Sequence, residues 1–284
     1  MPILIVLGLI LLAALGWAAR RYWRLRRREI LFQQPLPEDR RGILERIPLY
    51  RRLPGTLRPV LHGLVNIFLD EKRFVGCNGL EITDEMRVAV AGNAVMLLLG
   101  RGKRHFPGFQ TILVYPDPFV VDHTTYDGAI ETHERSVRSG ESWRRGPVVL
   151  AWSDITDDAR HFGEGRNVVI HEFAHKLDEE NETMDGLPVL RERSQYAEWA
   201  SVLGREYASL RRQAFRGEDS VLDPYGAVSP AEFFAVATES FFESPAVMKH
   251  QLPQLYEQLH RFYGLDPAGW AGGRPWGDGL GDRG

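Results

Sequence analysis

The sequence predicts an α+β fold: a mainly helical domain with a small sheet, preceded by one N-terminal transmembrane helix. Three features of the 284-residue chain predict this fold: an uncharged apolar run at its N-terminus, long segments with apolar residues at helical spacing, and short β-rich segments among them. The composition, with 44% hydrophobic and 26% charged residues, is typical of a globular protein. The single cysteine, Cys77, excludes an intrachain disulfide and a thiolate metal cluster, and we interpret it as a packing residue.

Residues 1–28 are predicted to form a transmembrane anchor and a basic juxtamembrane segment. Residues 2–19 are an uncharged, mostly apolar run of 18, near the lower limit for spanning a bilayer as a helix. Six arginines follow between residues 20 and 28, and positive charge after the span predicts that this side stays cytoplasmic. Aromatic residues lie where an interfacial belt is expected: Trp17, Tyr22 and Trp23.

Two other interpretations of this N-terminus are less favoured. A cleaved signal peptide would carry basic residues before the apolar run, whereas here they follow it. A basic amphipathic surface helix would have a polar face, whereas the run is apolar all round. Outside the six arginines, 29 basic residues remain against 38 acidic ones, a balance of −9. This acidic body argues against nucleic-acid binding.

The next part of the chain is predicted to change from a tether to a folded domain. Residues 29–60 are expected to be a tether with a short helix or two, because residues 33–59 contain five prolines. Apolar residues at helical spacing begin at Leu57, and the domain is placed at residues 61–263. Thr83 is expected to open a buried helix that ends at Gly100.

Strands are predicted next. Thr111–Tyr115 and residues 119–121 are β-rich on either side of a Pro-Asp-Pro turn, and residues 122–146 suggest a loop or hairpin. Residues 147–152 predict another strand, either an edge strand that could pair with an extended peptide or an ordinary core strand.

Helices are predicted again over residues 190–216 and 230–242. From Gly264 onward the last 21 residues contain eight glycines, so residues 264–284 are predicted to be a disordered tail.

The chemistry is concentrated in one apolar helical segment that contains His-Glu-x-x-His. His171 and His175 are four residues apart, so a helix places them on one face, where two imidazoles can bind one zinc ion. Glu172 lies beside them, where a carboxylate can take a proton from a water on the metal. Three ionisable groups among apolar neighbours are costly unless they are paired or bind metal.

A catalytic zinc needs a third protein ligand, which must come from further along the chain. Metzincins place a histidine six residues after the second histidine, but Asn181 stands there. His250 and His260 are poor candidates in an exposed-looking helix. Glu232 is the better candidate because a buried helix follows it, although the pattern from Ser229 to Glu232 is also a capping box.

Two further carboxylates have open roles. Glu239 lies seven residues after Glu232, on the same helical stripe, and could orient a ligand histidine through its free ring N–H or could be the ligand itself. Asp178, three residues after His175, could support the site in the same way or simply lie at a helix end.

Long motifs over most of the chain carry a family resemblance, at residues 68–74, 79–86, 112–116, 146–150, 167–178 and 231–236. They resemble the Mlc titration factor A family of zinc peptidases, whose catalytic half is similar to the anthrax lethal factor protease domain. The resemblance implies a zincin-like fold, one Zn²⁺ ligated by His171, His175 and Glu232, Glu172 as general base, and Tyr225 as hydrogen-bond donor to the oxyanion. Without the resemblance, Tyr225 would be interpreted as a turn residue.

The chain departs from the family pattern in two places. Residues 177–186 differ from the usual segment after the second histidine, so the rim of the site is expected to differ. The thermolysin-like acid four residues after the glutamate ligand is absent, because Val236 stands there.

The sequence therefore predicts a zinc peptidase that acts on a peptide or protein, anchored in a bacterial inner membrane with its catalytic domain cytoplasmic. One alternative is a zinc-stabilised module that sequesters a transcriptional repressor and has incidental peptidase activity; the resemblance suggests such a regulator as partner. Another is a membrane-tethered structural domain without metal.

Overall fold

The computed structural model describes residues 2–102, 105–127, 130–138, 140–142 and 146–270, with only the backbone described for residues 2–5, 119–127, 130–138 and 140–142. The predicted α+β fold, mainly helical with a small sheet, is confirmed. Five helices precede most of the sheet: α1 (Pro2–Gln33), α2 (Glu38–Leu44), α3 (Pro48–Arg52), α4 (Arg58–Glu71) and α5 (Asp84–Met96). The predicted buried helix after Thr83 is α5, and the Thr83 side chain caps it by accepting from Met86 N.

The sheet is small and mostly parallel. Its strand order is β1 (Arg73–Gly76), β2 (Thr111–Tyr115), β6 (Val148–Ala151) and β5 (Gly140–Ser142). The first three are parallel, and β5 is antiparallel to β6. A separate hairpin of β3 (Phe119–Asp127) and β4 (Ile130–Arg138) occupies most of the segment expected to be a loop or hairpin.

The alternative that β6 is an edge strand is wrong. Strand β6 lies between β2 and β5, and all four of its residues are buried. Its four apolar residues, Val148 to Ala151, are packed on both faces, as is typical of an interior parallel strand. The edge of the sheet on this side is β5.

The second half of the chain is helical. It contains α6 (Trp152–Arg160), α7 (Val168–Asp178), α8 (Gln195–Arg216), α9 (Pro230–Glu243), α10 (Pro245–Gln251) and α11 (Pro253–Tyr263). Asn167 caps α7, because its side chain accepts from Ile170 N. Ser229 caps α9, and Pro230 stands at its first position, where no N–H is needed.

Helices α7 and α9 pack against each other inside one hydrophobic core. Phe173 of α7 lies in an aromatic cluster with Phe68, Phe106 and Phe109. Burying each such ring stabilises the fold by about 1.5–3 kcal/mol, so the helix that carries the histidines is held firmly.

Two segments outside the predicted domain also contact this core. In residues 29–60, the predicted tether, buried side chains lie on it: Leu44, Ile47, Leu49, Tyr50 and Leu53. Of the predicted tail, Leu265 is buried, and Asp266 accepts a hydrogen bond from Tyr256 Oη at 2.6 Å. The tail from residue 271 lies outside the described residues.

Helix α1 runs without a break through the predicted anchor and the arginine-rich segment. Its stretch Val6–Gln33 is long and apolar enough to cross a membrane. The apolar side chains from Val6 to Leu15 are more than half exposed, so no described part of the protein covers them.

Candidate metal centre

Two helices bring three potential metal ligands together. His171 and His175 project from one face of α7, and Glu232 projects from the first turn of α9. The Nε2 atom of His171 lies 3.2 Å from His175 Nε2 and 3.0 Å from Glu232 Oε2. His175 Nε2 lies 3.4 Å from the same carboxylate oxygen. In the described residues these three form a group in which each offers one ligand atom within 4.8 Å of the others.

The spacing of these atoms fits a tetrahedral ion. Zinc binds imidazole nitrogen and carboxylate oxygen at about 2.0–2.2 Å, so ligand atoms at tetrahedral corners lie about 3.3–3.6 Å apart. The three observed spacings of 3.0, 3.2 and 3.4 Å are close to this value. The donor set of two imidazoles and one carboxylate also matches known catalytic zinc sites, which leave the fourth corner open.

The charges of the three groups support each other. Burial alone would raise the pKa of the Glu232 carboxyl, but hydrogen bonds with His171 and His175 outweigh it and lower that pKa to about 2. Glu232 is therefore ionised throughout the physiological pH range and can offer its oxygen to a cation. Burial lowers the pKa of His171, but Glu239 and Glu232 beside it outweigh burial and raise that pKa well above 6.5. The two carboxylates therefore favour a positive charge at this position, which a proton on His171 supplies without a metal ion and which the ion supplies when it replaces that proton.

Glu232 makes two separate sets of contacts, one through its backbone and one through its side chain. Its backbone N–H donates to Ser229 Oγ at 3.2 Å, which is the N-cap bond of α9. Its side chain instead lies at the two histidines. The capping and ligand interpretations of this residue are thus compatible, because they use different atoms.

Glu172 lies beside the group on α7 and is only 3% exposed. Among the described residues its Oε2 has no hydrogen-bond partner. Burial raises the pKa of this carboxyl above its ordinary value of 4.5, which makes it a stronger base than a solvated glutamate.

Glu239 contacts the outer face of His171. Its Oε1 lies 2.7 Å from His171 Nδ1, and its Oε2 accepts from Asn167 N at 2.6 Å. With Nδ1–H donating to Glu239, Nε2 is the nitrogen that faces the centre of the group, and its lone pair becomes available to a metal ion when Nε2 gives up its proton. Of the two roles considered for Glu239, this geometry favours orienting a histidine.

The structure also shows a polar network around Asn167 that was not predicted from the sequence. Asn167 Nδ2 donates to Glu243 Oε1 at 2.8 Å and to Asn93 Oδ1 at 3.2 Å. Gly163 N donates to Glu243 Oε2 at 3.2 Å. Glu243 is four residues after Glu239, so helical spacing on α9 was the signal that could have identified it.

Asp178 and the two distant histidines lie outside the group. Asp178 Oδ2 accepts from Gly186 N at 2.8 Å, so it fixes the loop after α7. Gly186 has a φ of +73°, and a Cβ there would lie 2.4 Å from Pro230 O, so only glycine fits under the start of α9. His250 is exposed on α10, and His260 Nδ1 lies 2.7 Å from Leu265 O.

Tyr225 lies at the rim of the group. It belongs to the 3-10 turn Pro224–Ala227 and is 54% exposed, so about half of this residue is accessible from outside. Its ring centroid lies 6.0 Å from that of His171. The Asp223 side chain accepts from Tyr225 N at 2.9 Å and holds the turn.

The Glu243 carboxyl predicts a pH dependence of stability. Burial raises its pKa from 4.5 to about 8, so the folded state keeps a proton that the unfolded chain loses above pH 4.5. The contribution of Glu243 is therefore fully present below pH 4.5 and is lost as the pH rises through 8. We expect Tm of Glu243→Gln, measured with a chelator present, to fall less between pH 5 and 8 than Tm of the parent.

An exposed acid provides the control for this experiment. Glu164→Gln changes the same chemical group at an exposed position, and its Tm is expected to follow the parent curve. Parallel curves for Glu243→Gln and the parent would contradict the assignment of the proton to Glu243.

Comparison with known proteins gives one family. Residues 21–264 match the sequence model of a family described as glucose-regulated metallo-peptidase M90. An uncharacterized protein of Synechocystis sp. is 42% identical over 271 residues, covering 94% of this chain and 98% of that protein. Proteins called Mlc titration factor A, from Klebsiella pneumoniae and Cronobacter sakazakii, are 37% and 36% identical over 225 residues, covering 78% of this chain and 84% of theirs.

Proposed function

Because this chain belongs to the glucose-regulated metallopeptidase family M90, we propose that it hydrolyses peptide bonds with a zinc ion held by His171, His175 and Glu232. The observation that carries the proposal is the approach of these three donors at tetrahedral spacing, with the Glu172 carboxylate beside them, whose Oε2 has no hydrogen-bond partner among the described residues. The family supplies the reaction class, and the donor set favours zinc among the metals that such a class can use.

In this mechanism the protein places two groups around the metal: a carboxylate that carries a proton and a hydroxyl that donates a hydrogen bond to the oxyanion. Bound zinc would supply a Lewis acid that lowers the pKa of water to about 7. Glu172 takes the proton from the attacking water and delivers it to the leaving amine. Tyr225 donates its hydroxyl hydrogen to the carbonyl oxygen as negative charge develops there. Glu239 keeps the His171 ring in one tautomer throughout.

The direct test combines metal analysis with an activity assay. Full-length protein in detergent is expected to contain about one zinc per chain and to hydrolyse a mixed peptide library, with new amino termini detected by mass spectrometry. Chelation should remove activity, and zinc should restore it. Protein that carries no transition metal after purification in zinc-supplemented buffer would contradict the proposal.

Glu239 is expected to tune metal affinity without binding the metal. Glu239→Gln removes the negative charge that accepts from His171 Nδ1, and loss of such a partner lowers zinc affinity by about 10–100-fold. Competition with a fluorescent chelator measures this change. Glu198→Gln, on an exposed part of α8, is the matched control and should bind zinc like the parent. If Glu239→Gln binds zinc with the affinity of the parent, the proposal that Glu239 orients His171 is wrong.

We also propose that α1 anchors the peptidase domain in the inner membrane, with the domain on the cytoplasmic side. The support is the apolar stretch of α1 that the described protein does not cover, followed by six arginines. Resistance of the protein to alkaline extraction from membranes, and digestion of its domain only after the cytoplasmic side is opened to protease, test the anchor and its orientation.

A second candidate is a regulatory binding role. It is favoured by the name of the relatives, Mlc titration factor A, which indicates that those proteins act on the Mlc regulator. In this alternative the metal centre stabilises a module that sequesters a repressor, and hydrolysis is incidental. Glu172→Gln separates the two roles, because it should still bind a regulator while it no longer cleaves peptides.

A further inference from the structure

A basic cleft lies beside the end of the proposed membrane span, away from the metal centre. Its volume is about 750 Å³, and it opens between α1 and the segment of residues 105–110. Its lining includes several cationic or imidazole groups: Arg24, Arg27, Arg28, Lys72 and His105. Two acids, Asp70 and Glu71, also line it, so the fixed charges leave a positive excess.

Most of these cations already have partners. Arg27 Nε donates to Asp70 Oδ2 at 2.7 Å, and Arg28 is ion-paired with Glu71. Lys72 is buried and donates to the backbone oxygens of Phe106 and Phe109, each at 2.8 Å.

Arg24 differs from the other cations. No ion pair or hydrogen bond joins its side chain to another described residue, and it is exposed. The cleft is therefore lined by one guanidinium that has no ion-pair partner among the described residues, and His105 lines the same cleft.

The depth of Arg24 matches the headgroup layer of a bilayer. The uncharged run ends at Ala19, and a helix rises 1.5 Å per residue, so Arg24 lies about 7–8 Å beyond the run along the helix axis. The headgroup layer on each side of the hydrocarbon core is about 5–8 Å thick. A helix that crosses the bilayer therefore places the Arg24 side chain among lipid phosphates.

The cleft keeps this position because α1 is fixed to the domain. Asn66 Nδ2 donates to Leu31 O at 3.2 Å and to Gln34 O at 2.9 Å, which binds the end of α1 to α4. Phe32 lies so close to Gly63 that a Cβ there would be 2.5 Å from Phe32 O. Any larger residue at Gly63 would displace α1, so the close contact fixes where the cleft meets the membrane.

We propose that this cleft binds the phosphate headgroup of an anionic phospholipid, with Arg24 as the main charge and the His105 ring as a hydrogen-bond partner. The proposal rests on the membrane anchorage proposed above and is independent of the peptidase activity. The lipid is favoured as occupant because Arg24, which contributes to the positive excess of the cleft, lies at the depth of the lipid headgroups. Bound lipid would set the distance and tilt of the catalytic domain relative to the membrane.

Tryptophan quenching by brominated lipids tests this site in the full-length chain. Trp17 and Trp23 lie at the interface end of the span, so bromine on the acyl chains reports lipids adjacent to α1. Vesicles mixed from phosphatidylglycerol and phosphatidylcholine give the relative binding constant of the two lipids. We expect a preference of about five-fold for phosphatidylglycerol, which corresponds to one cationic side chain near the surface.

Two charge-matched variants decide between a site and general attraction. Arg24→Gln is expected to bring the preference to about one, whereas Arg20→Gln, which alters the same basic segment outside the cleft, is expected to keep most of it. An equal loss in both variants, or no preference in the parent, would overturn the site. Displacement of the lipid by millimolar glycerol phosphate would assign the cleft to a soluble phosphate and would also overturn it.

The experiment also separates this proposal from the others. Brominated phosphatidylcholine should quench the parent whether or not the cleft binds a headgroup, because quenching needs only an inserted α1. Absence of all quenching would refute the anchor and the lipid site together. The experiment measures lipid binding and not peptide hydrolysis. A result that contradicts the peptidase proposal therefore does not affect the lipid-binding proposal.

Discussion

Glu172→Gln is expected to lower kcat/KM by about 100- to 10,000-fold while zinc stays bound. The glutamine amide keeps the shape of the side chain but cannot accept the proton of the attacking water, and this proton transfer contributes a factor of that size. Since Glu172 is not one of the three converging donors, zinc content should stay at about one per chain. Elemental analysis and single-turnover hydrolysis of one peptide, performed on the same preparation, measure both quantities.

The matched control is Glu164→Gln, which removes an exposed carboxylate a short distance before α7. Its activity should equal that of the parent. Cleavage by Glu172→Gln at the parental rate would show that another group is the base. Loss of zinc from this variant would instead place Glu172 among the ligands.

The second large effect is expected at the metal itself. His171→Ala and Glu232→Gln should each reduce zinc from about one per chain to less than about a tenth, because two remaining ligands do not hold the ion. Activity should disappear with the metal. Equilibrium dialysis against a zinc buffer followed by elemental analysis measures the loss.

Two controls separate ligation from folding. His161→Ala removes an exposed histidine and should leave zinc content unchanged. Ser229→Ala removes the N-cap of α9 and should cost about 0.5–2 kcal/mol of stability, yet it should still bind zinc. If Glu232→Gln behaves like Ser229→Ala, with lower stability and full zinc content, Glu232 is only a capping residue.

These expectations depend on three carboxylates of α9 that have different tasks in one small region: the half-buried Glu232 and the buried Glu239 and Glu243. Glu232 and Glu239 both face His171 but contact different ring nitrogens, at 3.0 and 2.7 Å. Glu243 is further away and acts on the cap of α7 through Asn167. Each change is therefore expected to have its own signature: metal content for Glu232, metal affinity for Glu239, and the pH dependence of stability for Glu243.

Much of the fold followed from local patterns in the sequence. Buried helix α5 and strand β2 were predicted from the spacing of their apolar residues, because each element buries residues at its own period. The region of the hairpin was predicted from its polar, Gly-containing composition. The position of β6 within the sheet was left open, because strand order depends on which strands pair and not on the strand's own residues. Residues 44–53 show the same limit, since prolines indicated a tether there while the side chains lie on the core.

The pairing of His171 with His175 was determined by the sequence alone, because four residues make just over one helical turn and any helix places them on one face. The apolar run before six arginines likewise predicted a membrane-spanning helix from the sequence alone. Only the tertiary structure decided that Glu232, 61 residues after His171, reaches that face, and that Glu239 and Glu243 divide their contacts between a ring nitrogen and a helix cap. The reason is that convergence of side chains from α7 and α9 depends on how two helices pack, and packing is a property of the whole core.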